Sequence, residues 1–565
     1  MKHFRWLSLI LVLLPSVSFA TVYVTSPTAG ATVTSPVHFK ASATSAFPVT
    51  YMRVYVDNVS VYGIAANAFD TYIALSPGGR YVVVQAWDST GAVQKNAFNI
   101  TVQTTFGGRN LLLQLPFQAG EAHIDGRYAF TNSNFLVEGA KRLRDLGVTS
   151  IFVYLYPKFR QSYPEKSGPL WPSTNPTSLA QLAQTAPYKT LFGMPFKTFV
   201  LTAYSFANSD RIPNFASDFN AAVAEEKEFY DLTRYLYAAY AGSGKTFILK
   251  HWEGDLTALQ GSSLSQNISS TMVTAMINWL EARQQGIARA RADAGDPSNV
   301  AVFHAVEVNR VLDYSRLGLT RVINAVVPVV KPDMVTYSSY DSTLQGSDAG
   351  SASATFTEAL NVIKTLAPDP LNLGNKRILV SEYGLFEMQR SGEILWRTQA
   401  IMQTARSAGL LGAFHWQVFD NECKDSNGNY FPVATTSSAR PAASNCRGLW
   451  LVRPDGSYSS VLSVLSPYWP GIRSCKLNLG VPSVTICTPA SNATVKTPVR
   501  IIVQTVSSRP VSLVQVYVDS IRVYSAPAGS LDTYIKMALG TRRVTVQARD
   551  SSGVYFKQTI YVTVN

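Results

Sequence analysis

The chain has 565 residues, 46% of them hydrophobic and 15% charged, a globular balance that excludes disordered and fibrous classes. At roughly 150 residues per domain it should hold about three domains. A formal net charge of +13 fits either a diffusely basic exported protein or attraction to an acidic polymer or anionic cell surface. The charges form no basic block, which argues against nucleic acid.

Lys2, His3 and Arg5 precede a short apolar run, Trp6 to Leu14, and Ser18-Phe19-Ala20 supplies small residues for cleavage. Residues 1–20 therefore resemble a secretory signal peptide cut after Ala20, and the mature protein is expected to be secreted or periplasmic. The run is too short to span a bilayer, and no later segment is long and apolar enough, so no transmembrane segment is expected. Four cysteines suit an oxidising compartment. They fall in two close pairs, Cys423 with Cys446 and Cys475 with Cys487. Proximity favours these two bridges, and no metal-ligand spacing accompanies them.

Next come residues 21–104. Residues 21–103 recur without a gap as 483–565: Val54-Tyr55-Val56-Asp57 matches Val516-Tyr517-Val518-Asp519, and Asp70-Thr71-Tyr72-Ile73 matches Asp532-Thr533-Tyr534-Ile535. Such register marks an internal duplication. Both copies alternate in period two and are broken by Gly, Pro, Asp and Ser, as in a small β-sandwich. They resemble the immunoglobulin-like modules of exported bacterial enzymes. Tyr62 and Trp87 could bind glycan, or the modules could be spacers; Arg549 stands at the second copy's equivalent of Trp87, which favours a spacer.

From 107 to 472 the period changes. Strand-like apolar runs are read at Leu111–Leu115, Ser150–Tyr154, Phe199–Ala203, Phe247–His251, Val300–Val306, Met334–Ser338, Ile378–Ser381 and Gly412–Trp416. Helical patterns lie between them, at 134–146, 221–240, 271–294, 317–330, 356–366 and 393–408. Eight runs alternating with helices predict a (β/α)8 barrel. Gly242-Ser243-Gly244-Lys245-Thr246 mimics a phosphate-binding loop, but Ala239 stands where its first glycine belongs and the helix-then-strand order is reversed.

Active sites of such barrels form at the C-terminal ends of the strands. That selects Glu253, after the fourth run, and Glu382, after the seventh. Two carboxyls there can flank one glycosidic bond, one protonating the leaving oxygen and one attacking or activating water. Glutamates ending strands four and seven make the barrel similar to clan A of the glycoside hydrolases. The resemblance implies Glu253 as acid/base, Glu382 as nucleophile, and retention of configuration on a β-linked polysaccharide or oligosaccharide. It also implies a Tyr near strand six beside the nucleophile, Tyr337 or Tyr340, and a sugar platform at Trp416. The clan usually has Asn just before the acid/base; here Trp252 stands there, and Asn309 is the candidate substitute. Glu307 is the rival carboxylate, either a third site residue or a buried partner for Lys250. No metal or organic cofactor is implied. The alternative is a non-catalytic glycan-binding or surface-matrix protein with a decayed barrel.

Overall fold

The computed structural model describes residues 21–73, 75, 78–103, 107–295, 299–433, 439–469, 477–527 and 529–565. The expected signal peptide, and Cys475 of the second expected bridge, lie outside the described residues.

The first unit is a β-sandwich of a three-stranded and a five-stranded sheet. Period-two strands put Phe39, Val54, Val82 and Val84 into a solvent-free core. The repeat returns the same sandwich at 483–565, with Val516, Val544 and Val546 in the equivalent core positions. Asp57 and Asp519 occupy the same left-handed turn position, at φ 51° and 49°.

Between them lies a closed, eight-stranded, all-parallel barrel. Its strands are Gln118–Ala122, Ser150–Leu155, Thr198–Ala203, Lys245–Lys250, Val300–Val308, Met334–Ser338, Ile378–Tyr383 and Gly412–His415. All are buried on both faces, which explains their continuous apolar reading. Helices such as Phe219–Tyr240, Ser270–Asp293 and Ala349–Leu366 form the outer layer.

Two expected elements need correction. Leu111–Leu115 is not the first strand: Gly107–Gln114 is a helix set against the fourth and fifth strands. The true first strand, Gln118–Ala122, reads Gln-Ala-Gly-Glu-Ala and carries no apolar run. Its interior is tight, since a Cβ at Gly120 would meet the Phe414 ring at 2.3 Å. The expected helix over 317–330 is broken into Val311–Leu317, Val322–Ala325 and Val327–Val330. Gly318, at φ +69°, ends the first piece as a left-handed cap.

The barrel is fused to the second sandwich. Tyr458–Ser459 pairs in parallel with Val499–Ser507 of that sandwich. Beneath this junction Arg453 and Glu387 form a fully buried ion pair.

Candidate active site

The sequence turns sharply after the fourth strand. Glu253 takes a left-handed conformation, φ 43° and ψ 63°. A Cβ at Gly254 would sit 2.3 Å from the Glu307 carbonyl oxygen, so the tight Glu-Gly turn requires glycine there. After the seventh strand Gly384 meets the same limit, 2.6 Å from the Trp416 carbonyl oxygen. These turns help bring Glu253 and Glu382 into one cleft at the C-terminal mouth of the barrel.

The cleft holds about 400 Å³. Trp252 and Glu253 line it from the fourth strand, Tyr340 and Leu344 from the segment after the sixth, Glu382 and Phe386 from the seventh, and Trp416 from the eighth. Asn421, Glu422, Tyr430 and Leu449 close it from the long loop after strand eight. Trp252 and Trp416 lie nearly parallel, with ring centroids 6.1 Å apart at 16°. Trp416 donates from Nε1 to the Asn421 side-chain oxygen at 3.2 Å, whereas the Trp252 Nε1 has no partner among the described residues.

Burial pushes the Glu253 carboxyl up to about 7; the Glu307 charge adds to the rise and Lys250 opposes it. Burial also holds the Glu382 carboxyl well above the ordinary range, again raised by Glu307 and lowered by Lys250, with Glu253 a further raising charge. Glu382 accepts a hydrogen bond from Ser338 on Oε2 at 3.3 Å. Its Oε1 lies 3.9 Å from Lys250 Nζ and has no hydrogen-bond partner among the described residues. The Glu253 charge thus adds to the cost of ionising Glu382, and burial disfavours the charged form of both carboxyls.

Glu307 sits below the cleft, fully buried. It takes Lys250 Nζ at 2.5 Å, the Glu253 N–H at 2.7 Å and the Ser381 hydroxyl. It therefore supports both cleft glutamates without lining the cleft. The two strand-end histidines pack: His251 Nε2 accepts the Glu307 N–H, and burial pushes the His304 ring down to about 3.

Two expected substrate contacts are corrected. Tyr337 lies outside the barrel wall, its hydroxyl bonded to Asp341 and Ser342 and its ring against Phe356. Side chains alternate along a strand. Thr336 and Ser338 reach Glu307 and Glu382, so Tyr337 must face the helices. Of the two tyrosines offered, Tyr340 is the one in the cleft. Asn309 instead clamps a loop, its side-chain oxygen accepting the Asp255 N–H at 2.8 Å and its own N–H donating to Asp255 at 2.9 Å.

The loop after strand eight supplies what the sequence reading missed. Glu422 lines the cleft and pairs with Arg447 at 2.6 Å. Arg447 in turn lies 3.7 Å over the Phe386 ring. The Cys423–Cys446 bridge is formed beside them. Its position was the one available signal, since Glu422 and Arg447 directly flank the two cysteines.

No protein-family model and no curated protein matches the chain. Among solved structures, it is similar to a β-glucuronidase of Bacteroides uniformis, at 9% identity and TM-score 0.35, over 97% of this chain and 61% of that one. The chain thus spans about three-fifths of that enzyme's length. It is also similar to the endo-β-1,4-mannanase of Thermotoga petrophila, at 12% identity and TM-score 0.37, over 80% of this chain and 97% of that one. A family 39 glycoside hydrolase from Bacteroides cellulosilyticus aligns at 11% identity and TM-score 0.35, over 89% and 96%.

Proposed function

We propose that the chain is an exported, retaining glycoside hydrolase that cleaves a β-linked polysaccharide or oligosaccharide. The observation that carries this reading is the sharing of one aromatic-walled cleft by Glu253 and Glu382, delivered from the fourth and seventh strands. Trp252 and Trp416 offer flat faces for a sugar ring.

The two carboxyls take different parts because their surroundings differ. Glu253, on the cleft wall and raised to about 7, carries the proton that the leaving oxygen needs. Glu382, at the end of the seventh strand with Oε1 uncommitted, is the nucleophile once ionised, and Lys250 opposes the burial and the neighbouring carboxyls that hold its proton on. Glu382 attacks the anomeric carbon as the glycosidic C–O bond breaks and the Glu253 proton passes to the departing oxygen. The product of that step is a glycosyl ester of Glu382 and an ionised Glu253. Glu253 then takes a proton from water, whose oxygen displaces Glu382 with a second inversion, so the configuration is retained. Ser338 holds the other oxygen of Glu382 throughout.

Hydrolysis of a panel of plant, bacterial and fungal polysaccharides tests the reading. The mature protein should release sugars, and Glu253→Gln and Glu382→Gln should each lose at least about a hundredfold. The first product anomer, followed by NMR, should be the β form. Full activity in either variant rejects that assignment, and an inverted first product rejects the nucleophile.

A further inference from the structure

The duplicated sandwiches have diverged in one direction on one sheet. Residues 483–565 contain nine Lys and Arg against three Asp, whereas residues 21–103 contain four against three. The three Asp of the second copy are all engaged. Asp519 holds Arg542, Asp532 holds Arg500, and buried Asp550 accepts bonds from its own turn. Three carboxylates against nine cations leave the module with an excess of positive charge, Arg543 sharing Asp519 with Arg542.

Several of them share a face. In the five-stranded sheet, Arg549 is directly opposite Tyr555, and Arg543 opposite Tyr561. Lys557 lies between those tyrosines on the same edge of the alternation, and Arg522 is paired with Tyr517 across the next ladder. The alternate residues, Val544, Val546 and Ala548, fill the core, so the named side chains all point away from it. Tyr555 and Tyr561 are 54% and 50% exposed. The Arg549 guanidinium lies 5.8 Å over the Tyr555 ring and donates to its hydroxyl. No Asp or Glu occupies an outward position on this face. The barrel joins the opposite sheet, through Tyr458–Ser459.

The first copy is a built-in comparison. At the positions of Arg522, Arg543 and Arg549 it has Ser60, Tyr81 and Trp87, while Lys95 matches Lys557. Three neutral residues in one copy are thus arginines in the other, all on the same face.

We propose that this face of the C-terminal sandwich is a second carbohydrate site, which binds an anionic polysaccharide separately from the cleft. The arginines and Lys557 meet its carboxylate or sulfate groups, and Tyr517, Tyr555 and Tyr561 stack on the apolar faces of its rings. Arg543 and Arg549 are six residues apart on one strand, roughly 20 Å, long enough for several sugar units. The choice of a glycan over another polyanion rests on the reading of the barrel as a glycosidase; the binding itself does not.

The test is binding of the full mature chain to immobilised polygalacturonate, dextran sulfate, neutral dextran and duplex DNA, from about 50 mM to about 200 mM salt. The wild type should bind one or both anionic glycans more tightly than dextran, and weaken as salt rises. A preference between polygalacturonate and dextran sulfate identifies the anion. The triple variant Arg522→Ser, Arg543→Tyr, Arg549→Trp, which copies the first sandwich, should lose about tenfold or more with an unchanged Tm. Tyr555→Ala with Tyr561→Ala should weaken glycan binding further. Equal binding by the triple variant, equal binding to dextran, or binding to none of the glycans overturns the proposal. Tighter binding to DNA than to either anionic glycan also overturns it. Measured beside Glu253→Gln, which should bind normally, the result is independent of whether the cleft hydrolyses sugar.

Discussion

Lys250 is the residue on which the charge balance of the barrel mouth turns. Its ammonium is fully buried, 2.5 Å from Glu307 and 3.9 Å from Glu382. Lys250→Met would strand Glu307 as an uncompensated buried charge, a loss of about 3–5 kcal/mol in chemical denaturation. The double variant Lys250→Met/Glu307→Gln should recover much of that loss. It also separates stability from catalysis only in part: Lys250 and Glu307 act on Glu382 in opposite directions. Of the pair, Lys250 is the one that favours ionisation, so in any variant lacking it alone the acidic limb of kcat/KM should move to higher pH.

Glu253 gives a second prediction at the same scale. Its folded-state value, about 7, lies above the ordinary 4.5. The folded protein therefore loses stability as pH rises from about 4.5 through about 7, when an ionised group must be kept in a desolvated place. Glu253→Gln removes that dependence. The Tm advantage of the variant over wild type should be small at pH 4.5 and grow up to pH 8, measured by calorimetry. On the proposed assignment of Glu253 as proton donor, wild-type kcat/KM should decline above about pH 7. The placement of Glu253 and Glu382 in one cleft was legible because each ends an apolar run at a place the barrel rule makes informative. Tyr337 was misread because it too is near a strand end, and only the alternation of neighbours shows that it faces the helices. Glu422 had no periodic run to mark it.

At the scale of elements, the same contrast holds between strands and loops. Seven of the eight barrel strands could be read because burial on both faces leaves an apolar run. The first, Gln118–Ala122, escaped because its interior is built from Gly120 and from Glu121, which pairs with His415 at 2.7 Å. A neighbouring leucine-rich helix supplied the run that a strand should have had. The loop after strand eight is held by chemistry rather than by period. Cys423–Cys446 closes a segment with a sequence separation of 23 beside Asn421, Glu422 and Arg447. Replacing both cysteines by serine should cost about 3 kcal/mol of stability. It should raise KM more than it lowers kcat, because the loop supplies one wall of the cleft and neither Glu253 nor Glu382. A fall in kcat with KM unchanged would mean that the loop positions the reacting carboxyls themselves.

At the scale of the molecule, the duplication was plain in the sequence, but the integration of the second copy with the barrel was not. That integration depends on side chains from segments far apart in the chain. Arg453 donates to Glu387, to the Ser457 hydroxyl, to the Tyr458 carbonyl and to the Ser507 carbonyl of the sandwich. Glu387 also accepts from Trp450 Nε1 and the Ser459 hydroxyl. The cluster sits one residue from Phe386 and Leu449, both of which line the cleft. Arg453→Met should therefore act at two distances. It leaves Glu387 buried and unpaired, costing about 3–5 kcal/mol, and it removes a link to the sandwich strand. Calorimetry should show the barrel and C-terminal sandwich melting together in the wild type and separating in the variant. kcat/KM should fall as Phe386 and Leu449 lose their support. Arg453→Met/Glu387→Gln should restore much of the stability while the two transitions stay apart, because the bond to Ser507 is still missing. If the double variant melts as one unit, the pairing of Tyr458–Ser459 with the sandwich is sufficient for the coupling and Arg453 only neutralises Glu387.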